Sequence, residues 1–143
     1  MDQNENLLDE VHKSATMGYE AADLILNKLE HCGLRSQVER QSGDYHTLAQ
    51  KAEKMMNDKG RDPKKETPMS KAMLWGNVQL STLTDKSPTH IAEMMISGTT
   101  MGVIDLTKKL NQLKDADAGA RRLAEEYLEG EKEHIDALKQ YLC

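Results

Sequence analysis

Phenylalanine is absent from this 143-residue chain, and one Trp and four Tyr are all its aromatic side chains. A core without many large rings has to be filled by Leu, Ile and Ala, together with nine Met whose flexible thioethers fit irregular gaps. Alternating runs of β-branched and aromatic residues, the mark of strands, are also missing, so the composition is that of packed helices. No apolar run nears the roughly 20 residues that a membrane helix needs. Nor is there an excess of positive charge. The net charge is −5 and the pI about 5.5, which argues against a nucleic-acid partner, because phosphate binding needs a clustered cationic surface. Cys32 and Cys143, the two cysteines, lack metal-ligand spacing and read as a reduced pair. The first residues carry neither the basic region nor the apolar segment of a signal peptide, so the expectation is a cytoplasmic protein with no membrane partner.

What is present is helical periodicity over nearly the whole length, in a chain sized for a single domain, 1–143. Leu7, Leu8, Val11, Ala15, Gly18, Ala22, Ile25 and Leu29 share a face of a helix expected over 5–31, with Gly33 as its C-terminal stop. A second helix is expected over 34–59, ended by Gly60, with Gln41, Ser42 and Tyr45 among its inward groups. The segment 61–68 holds two prolines and five charges, and a short helix over 69–83 carries Trp75 as a packing anchor. That connection is long enough to run from one end of a bundle to the other, which leaves the second and third long helices parallel. Ser87 and Pro88 then supply an N-cap and a first helical residue for a third long helix, 88–114. A last helix, 118–142, follows the capping acids of Asp115-Ala116-Asp117.

The third helix reads as the buried centre. Ile91, Met94, Met95, Ile96, Met101 and Val103 leave little of it polar, and His90, Glu93, Ser97 and Thr100 form one narrow polar sector on an apolar rod. On the last helix Glu131 and His134 lie one turn apart on the apolar face, as Glu-x-x-His. That spacing lets a carboxylate and an imidazole reach one metal, and it equally suits a buried hydrogen-bonded pair. Counted from the Asp115 turn at ~1.5 Å per residue, Glu131 and His134 are level with Thr100 and Ser97. The expectation is therefore a buried polar layer of Tyr45, Ser97, Thr100, Glu131 and His134, with Tyr19 or Tyr127 nearby. The candidate metal ligands are Glu93, Glu131 and His134, with His90 as a weaker fourth.

The run from Thr84 through Ser87-Pro88-Thr89-His90-Ile91-Ala92-Glu93-Met94-Met95, with the final Glu131-x-x-His134, resembles small bacterial ferritin-like proteins of the rubrerythrin and ferritin superfamily. The resemblance implies an all-α, ferritin-like four-helix bundle with a long second-to-third crossover. For active members it also implies a di-iron site, with a Glu from each of two helices and Glu-x-x-His from each of the other two. Glu131 and His134 match that pattern, and Glu93 stands where the third helix would give its carboxylate. The second helix instead has Gly43-Asp44-Tyr45-His46, and Glu20 on the first faces away from the apolar stripe. Two readings follow. One is a degenerate site in a structural or interaction module that requires no cofactor. The other is an iron- or manganese-binding bundle with redox activity toward oxygen or peroxide. A Met-rich surface left after bundle packing would suit a homodimer.

Overall fold

The computed structural model describes residues 3–62 and 87–143; the expected helix over 69–83 and Trp75 lie outside them. Among the described residues there are four long helices: α1 (Gln3–Leu26), α2 (Cys32–Asp58), α3 (Pro88–Gln112) and α4 (Ala118–Leu138). A single 3₁₀ turn, Lys139–Tyr141, follows α4.

The helix ends are fixed by named side chains. Ser87 Oγ accepts from the His90 amide at 3.3 Å, and Asp117 Oδ1 accepts from the Ala120 amide at 2.8 Å, each relieving an amide with no intrahelical partner. The cap bond and the nearby Lys59 hold the Asp117 carboxyl below its usual range. Two arginines cover exposed carbonyls at helix C-termini. Arg35 Nη1 donates to Leu26 O at 2.8 Å beyond α1, and Arg121 Nη1 to Leu110 O and Leu113 O at 3.1 and 3.0 Å beyond α3. Gly60 adopts φ +74 just after α2, the left-handed conformation that glycine takes without a Cβ penalty.

Gly33, by contrast, is not a stop. It lies in the first turn of α2, which His31 caps by accepting the Leu34 amide on Nδ1 at 3.2 Å. α1 has already ended at Leu26, where Arg35 supplies the capping donor. The absent side chain at Gly33 leaves room for Tyr141, whose Oη would sit 3.2 Å from a Cβ there.

Contacts between the ends give the topology. The Asp115 amide donates to Gln3 Oε1 at 2.8 Å, so the end of α3 meets the start of α1. Lys59 reaches Asp117 at 2.9 Å, and Arg61 reaches Asp9 at 3.2 Å, which brings the end of α2 to the same pole. At the other pole Thr89 Oγ1 donates to Tyr141 O at 2.9 Å, joining the start of α3 to the end of α4. Hence α2 and α3 run parallel.

Two apolar clusters fill the interior. One, at the pole of the α1 start, contains Leu7, Leu8, Val11, Met56, Leu106 and Leu123. The other, near the α2 start, contains Ile25, Leu34, Val38, Ile91, Met95 and Leu138. The polar residues of interest lie between them.

The expectation that α3 is buried all round is corrected. Its inward stripe is Ile91, Ala92, Met95, Thr99, Leu106 and Leu110, while Met101 and Ile104 are 48% and 49% exposed. A corner helix of a four-helix bundle is covered on the sides of its neighbours only, and the apolar residues on the open side of α3 do not face the core.

Candidate functional site: a buried polar layer

Glu131 and His134 project from α4 into the interior because its apolar stripe, Ala120, Leu123, Ala124, Tyr127 and Leu138, is the same stripe on which they fall. They are 2% and 5% exposed. From α2, Gln37, Gln41 and Tyr45 come in at intervals of four residues, one helical turn apart, and all three are buried.

Tyr45 Oη donates to Glu131 Oε1 at 2.6 Å. The Tyr127 phenol, one turn before Glu131 on α4, lies near the same carboxyl and works against the rise in its pKa. Buried Gln41 and Thr99 lie near the Tyr45 phenol and oppose the rise in its pKa, so α3 enters the layer through Thr99. α1 contributes a space. A Cβ on Gly18 would lie 2.8 Å from Tyr45 Cδ2 and 2.9 Å from Cγ, so the ring rests on the bare α1 backbone.

His134 has other partners. Its Nε2 lies 3.1 Å from Asp44 Oδ2, at the rim, and Gln37 Nε2 approaches its Nδ1 at 3.4 Å while also donating to Gln41 Oε1 at 3.4 Å. These contacts fit one neutral tautomer, with the proton on Nε2 donated to Asp44 and Nδ1 accepting from Gln37. A continuous chain of polar contacts therefore leads from the exposed Asp44 through His134, Gln37, Gln41 and Tyr45 to Glu131. The expectation that Glu131 and His134 pair with each other gives way to separate partners.

Burial dominates the protonation of the layer. It raises the Glu131 carboxyl to about 7, assisted by the Asp44 charge and opposed by the Tyr45 and Tyr127 phenols. Both phenols are pushed well above their ordinary value, by burial first and then by the Glu131 charge. Burial lowers His134, against the pull of Asp44 in the opposite direction.

Of the expected layer, Tyr45, Glu131 and His134 are brought together, whereas Ser97 and Thr100 are exposed. Thr99 takes their place. The apolar residues Met94, Ile96, Met101 and Ile104 surround α3 and blur its inward direction, so the phase read from sequence is rotated away from the true stripe. For the same reason Glu93 is exposed and does not join Glu131 and His134, and His90 is half-buried in the first turn. Tyr127 lies beside the layer, as expected, whereas Gln37 was not among the expected residues; the Gln37, Gln41, Tyr45 spacing was its available signal on α2. A second buried imidazole, His12, contacts Glu53 Oε1 at 2.9 Å between α1 and α2, apart from this layer.

The donor set does not fit a ferritin-type di-metal centre. α1 offers Gly18, α2 offers Gln41 and Tyr45 with Asp44 only at the exposed rim, α3 offers Thr99, and α4 brings the buried carboxylate and imidazole. Among the described residues no group of three or more His, Cys, Asp or Glu is placed to hold a metal ion. Glu131 Oε1 and both ring nitrogens of His134 already have protein partners.

No protein-family model matches the chain, and no curated protein matches it in sequence. Among solved structures, it is similar to a dodecameric thioferritin, the bacterioferritin-related protein from Bacteroides fragilis. The TM-score is 0.72 and the identity 15%, over 99% of this chain and 86% of that one. At that identity the likeness shows the fold: a ferritin-like helical bundle.

Proposed function

We propose that this chain is a ferritin-like bundle whose metal position has become a hydrogen-bonded polar layer, and that it works as a structural or interaction module without a resident metal. The observation that carries the reading is the 2.6 Å bond from Tyr45 to Glu131. A metal would have to displace that phenol and take an ionised Glu131, whose raised pKa already disfavours the charged form. No helix among the described residues is long and apolar enough to cross a membrane, and both cysteines are exposed and unpaired, which suits a reducing cytoplasm. The thioferritin of similar fold is a dodecamer, which supports self-association of this chain as well.

The competing reading, an iron- or manganese-binding bundle with redox activity, rests on Glu131 and His134 sharing one inward face in a ferritin-like fold. Elemental analysis of protein purified without tags or chelators separates the two. Iron, manganese and zinc are expected below about a tenth of an equivalent, with no rise in melting temperature on adding them, since a ligand bound only by the folded state would stabilise it. Stoichiometric metal with chelator-sensitive stability would overturn the module reading.

A further inference from the structure

At the pole where α2 and α3 start and α4 ends, the 3₁₀ turn Lys139–Tyr141 packs on two helix starts through Tyr141. The Tyr141 carbonyl accepts from Thr89 Oγ1 on α3 at 2.9 Å. Its ring meets the His31 ring edge-on at a centroid separation of 5.8 Å, and its Oη lies 3.2 Å from where a Cβ on Gly33 would stand. His31 caps α2 by accepting from the Leu34 amide, so the ring on which Tyr141 packs is itself held in place.

The two cysteines flank this contact, and neither takes part in the polar layer. Cys32 lies between His31 and Gly33, the two residues that Tyr141 touches at the start of α2. Cys143 stands two residues beyond Tyr141, with its Sγ 4.0 Å from Tyr141 O. Both thiols are free and exposed. Two residues of extended chain reach about 7 Å, and a disulfide needs Cα atoms roughly 4.4–6.8 Å apart. Leu142 is extended and 42% exposed. Turning its backbone dihedrals therefore swings Cys143 while the Leu142 amide keeps its bond to Lys139 O and the helices stay where they are. So short a tether between anchored segments gives a high effective concentration of one thiol at the other.

We propose that Cys32 and Cys143 are a redox-active pair that takes a low-molecular-weight disulfide as its oxidant and closes into an intramolecular bond, locking the last turn onto the start of α2. One protein thiolate attacks a sulfur of the small disulfide, whose other sulfur leaves as a thiolate, and a mixed disulfide results. The second protein thiolate attacks the protein sulfur of that bond and expels the remaining small thiolate. The cysteine pair is oxidised by two electrons, the small disulfide is reduced to two thiols, and the two cysteine protons end on them. In a reducing cytoplasm the pair rests open, and it closes when the disulfide pool rises. This role goes beyond the module reading and is independent of whether the layer holds a metal.

The folded full chain, reduced and then exposed to oxidised glutathione, tests it by intact-mass and peptide mass spectrometry. The expected product is a monomer lighter by two hydrogens, with a peptide that joins Cys32 to Cys143 and no lasting glutathione adduct. Its melting temperature should exceed that of the reduced chain by about 5 °C or more, because the bond closes a loop over most of the chain. Cys32→Ser and Cys143→Ser, each checked for unchanged helicity by circular dichroism, should instead keep one glutathione and show no such rise. Tyr141→Ala retains both thiols but loses the packing on His31 and Gly33, and its closure should slow at least about tenfold. Glutathione held on both thiols, disulfide-linked dimers, thiols that stay free, closure without a higher melting temperature, or a Tyr141→Ala variant that closes at the parental rate would each overturn the proposal.

Discussion

Replacing Glu131 by Gln removes the ionisable group at the centre of the layer while keeping its shape and a carbonyl to accept from Tyr45. The carboxyl ordinarily titrates at 4.5 and is held at about 7 in the folded protein. The folded state therefore binds this proton more tightly than the unfolded chain does. Its contribution to stability is greatest below the unfolded value and is lost as pH rises through the folded one. The two values differ by roughly 2.5 units at about 1.4 kcal/mol each, so the parent should lose about 3 kcal/mol from this group between about pH 4.5 and pH 8. Glu131 is almost fully buried, so solvent screening does not reduce the figure much. The amide does not titrate, and the variant should lack that slope. It will be offset at every pH by about 1 kcal/mol, since the buried amide N–H groups bring donors that need new acceptors.

The assay is urea unfolding by far-ultraviolet circular dichroism at several pH values, with the quantity of interest the variant's stability minus the parent's. His134 titrates in part of the same window with the opposite sign, but it is present in both proteins and cancels in the difference. The expected result is a difference that moves in the variant's favour by about 3 kcal/mol from acid to mildly alkaline pH, ending with the variant the more stable. Parallel curves would mean that Glu131 titrates as a solvated carboxylate, and the buried layer as described would be wrong.

Two further substitutions probe other sides of the layer. Gly18→Ala puts a methyl 2.8 Å from the Tyr45 ring, which must shift off its bond to Glu131; a loss of about 1–3 kcal/mol in urea unfolding is expected, and an unchanged midpoint would show that the ring does not rest on α1. His134→Ala leaves the Gln37 amide short of an acceptor and should cost about 1–3 kcal/mol at pH 8. Because the folded protein holds the His134 pKa below 6.5, the parent's own stability falls as pH drops below that value, so the cost of the substitution should shrink toward pH 5; a constant cost would refute the buried neutral imidazole.

How far the sequence reveals this arrangement depends on how clean each helix face is. The α4 stripe is apolar on one side and charged on the other, so Glu131 and His134 could be placed inward from spacing alone. The parallel course of α2 and α3 was legible from the length of the connection between them. On α3 apolar residues lie on the covered and the open side alike, and nothing local distinguishes Thr99 from Ser97 or Thr100. Gly33 misled because a glycine between two helical patterns fits a stop and a first turn equally well, and the deciding groups, His31 and Arg35, act through bonds that periodicity does not encode. Partner choice inside the layer is a tertiary matter. Tyr45 and Glu131 are 86 residues apart, and no local pattern indicates that a phenol, and not His134, takes that carboxylate.

The layer also bears on why a bundle of this composition adopts a single packing. Leu, Ala and Met cores tolerate alternative fits, because flexible thioethers and small residues impose little directional preference. Between the two apolar clusters, however, the bonds of the layer exist at one register only. If α2 slid by a turn against α4, Tyr45 would leave Glu131 and Gln37 would leave His134. If α1 shifted, a side chain would replace the Gly18 gap under the Tyr45 ring. A buried ionisable group that lowers stability at neutral pH can still be useful when it makes the alternatives worse, as polar residues do when they set register in coiled coils. On this view the phenols, amides and hydroxyl tie α2, α3 and α4 together at one level, as metal ligands would.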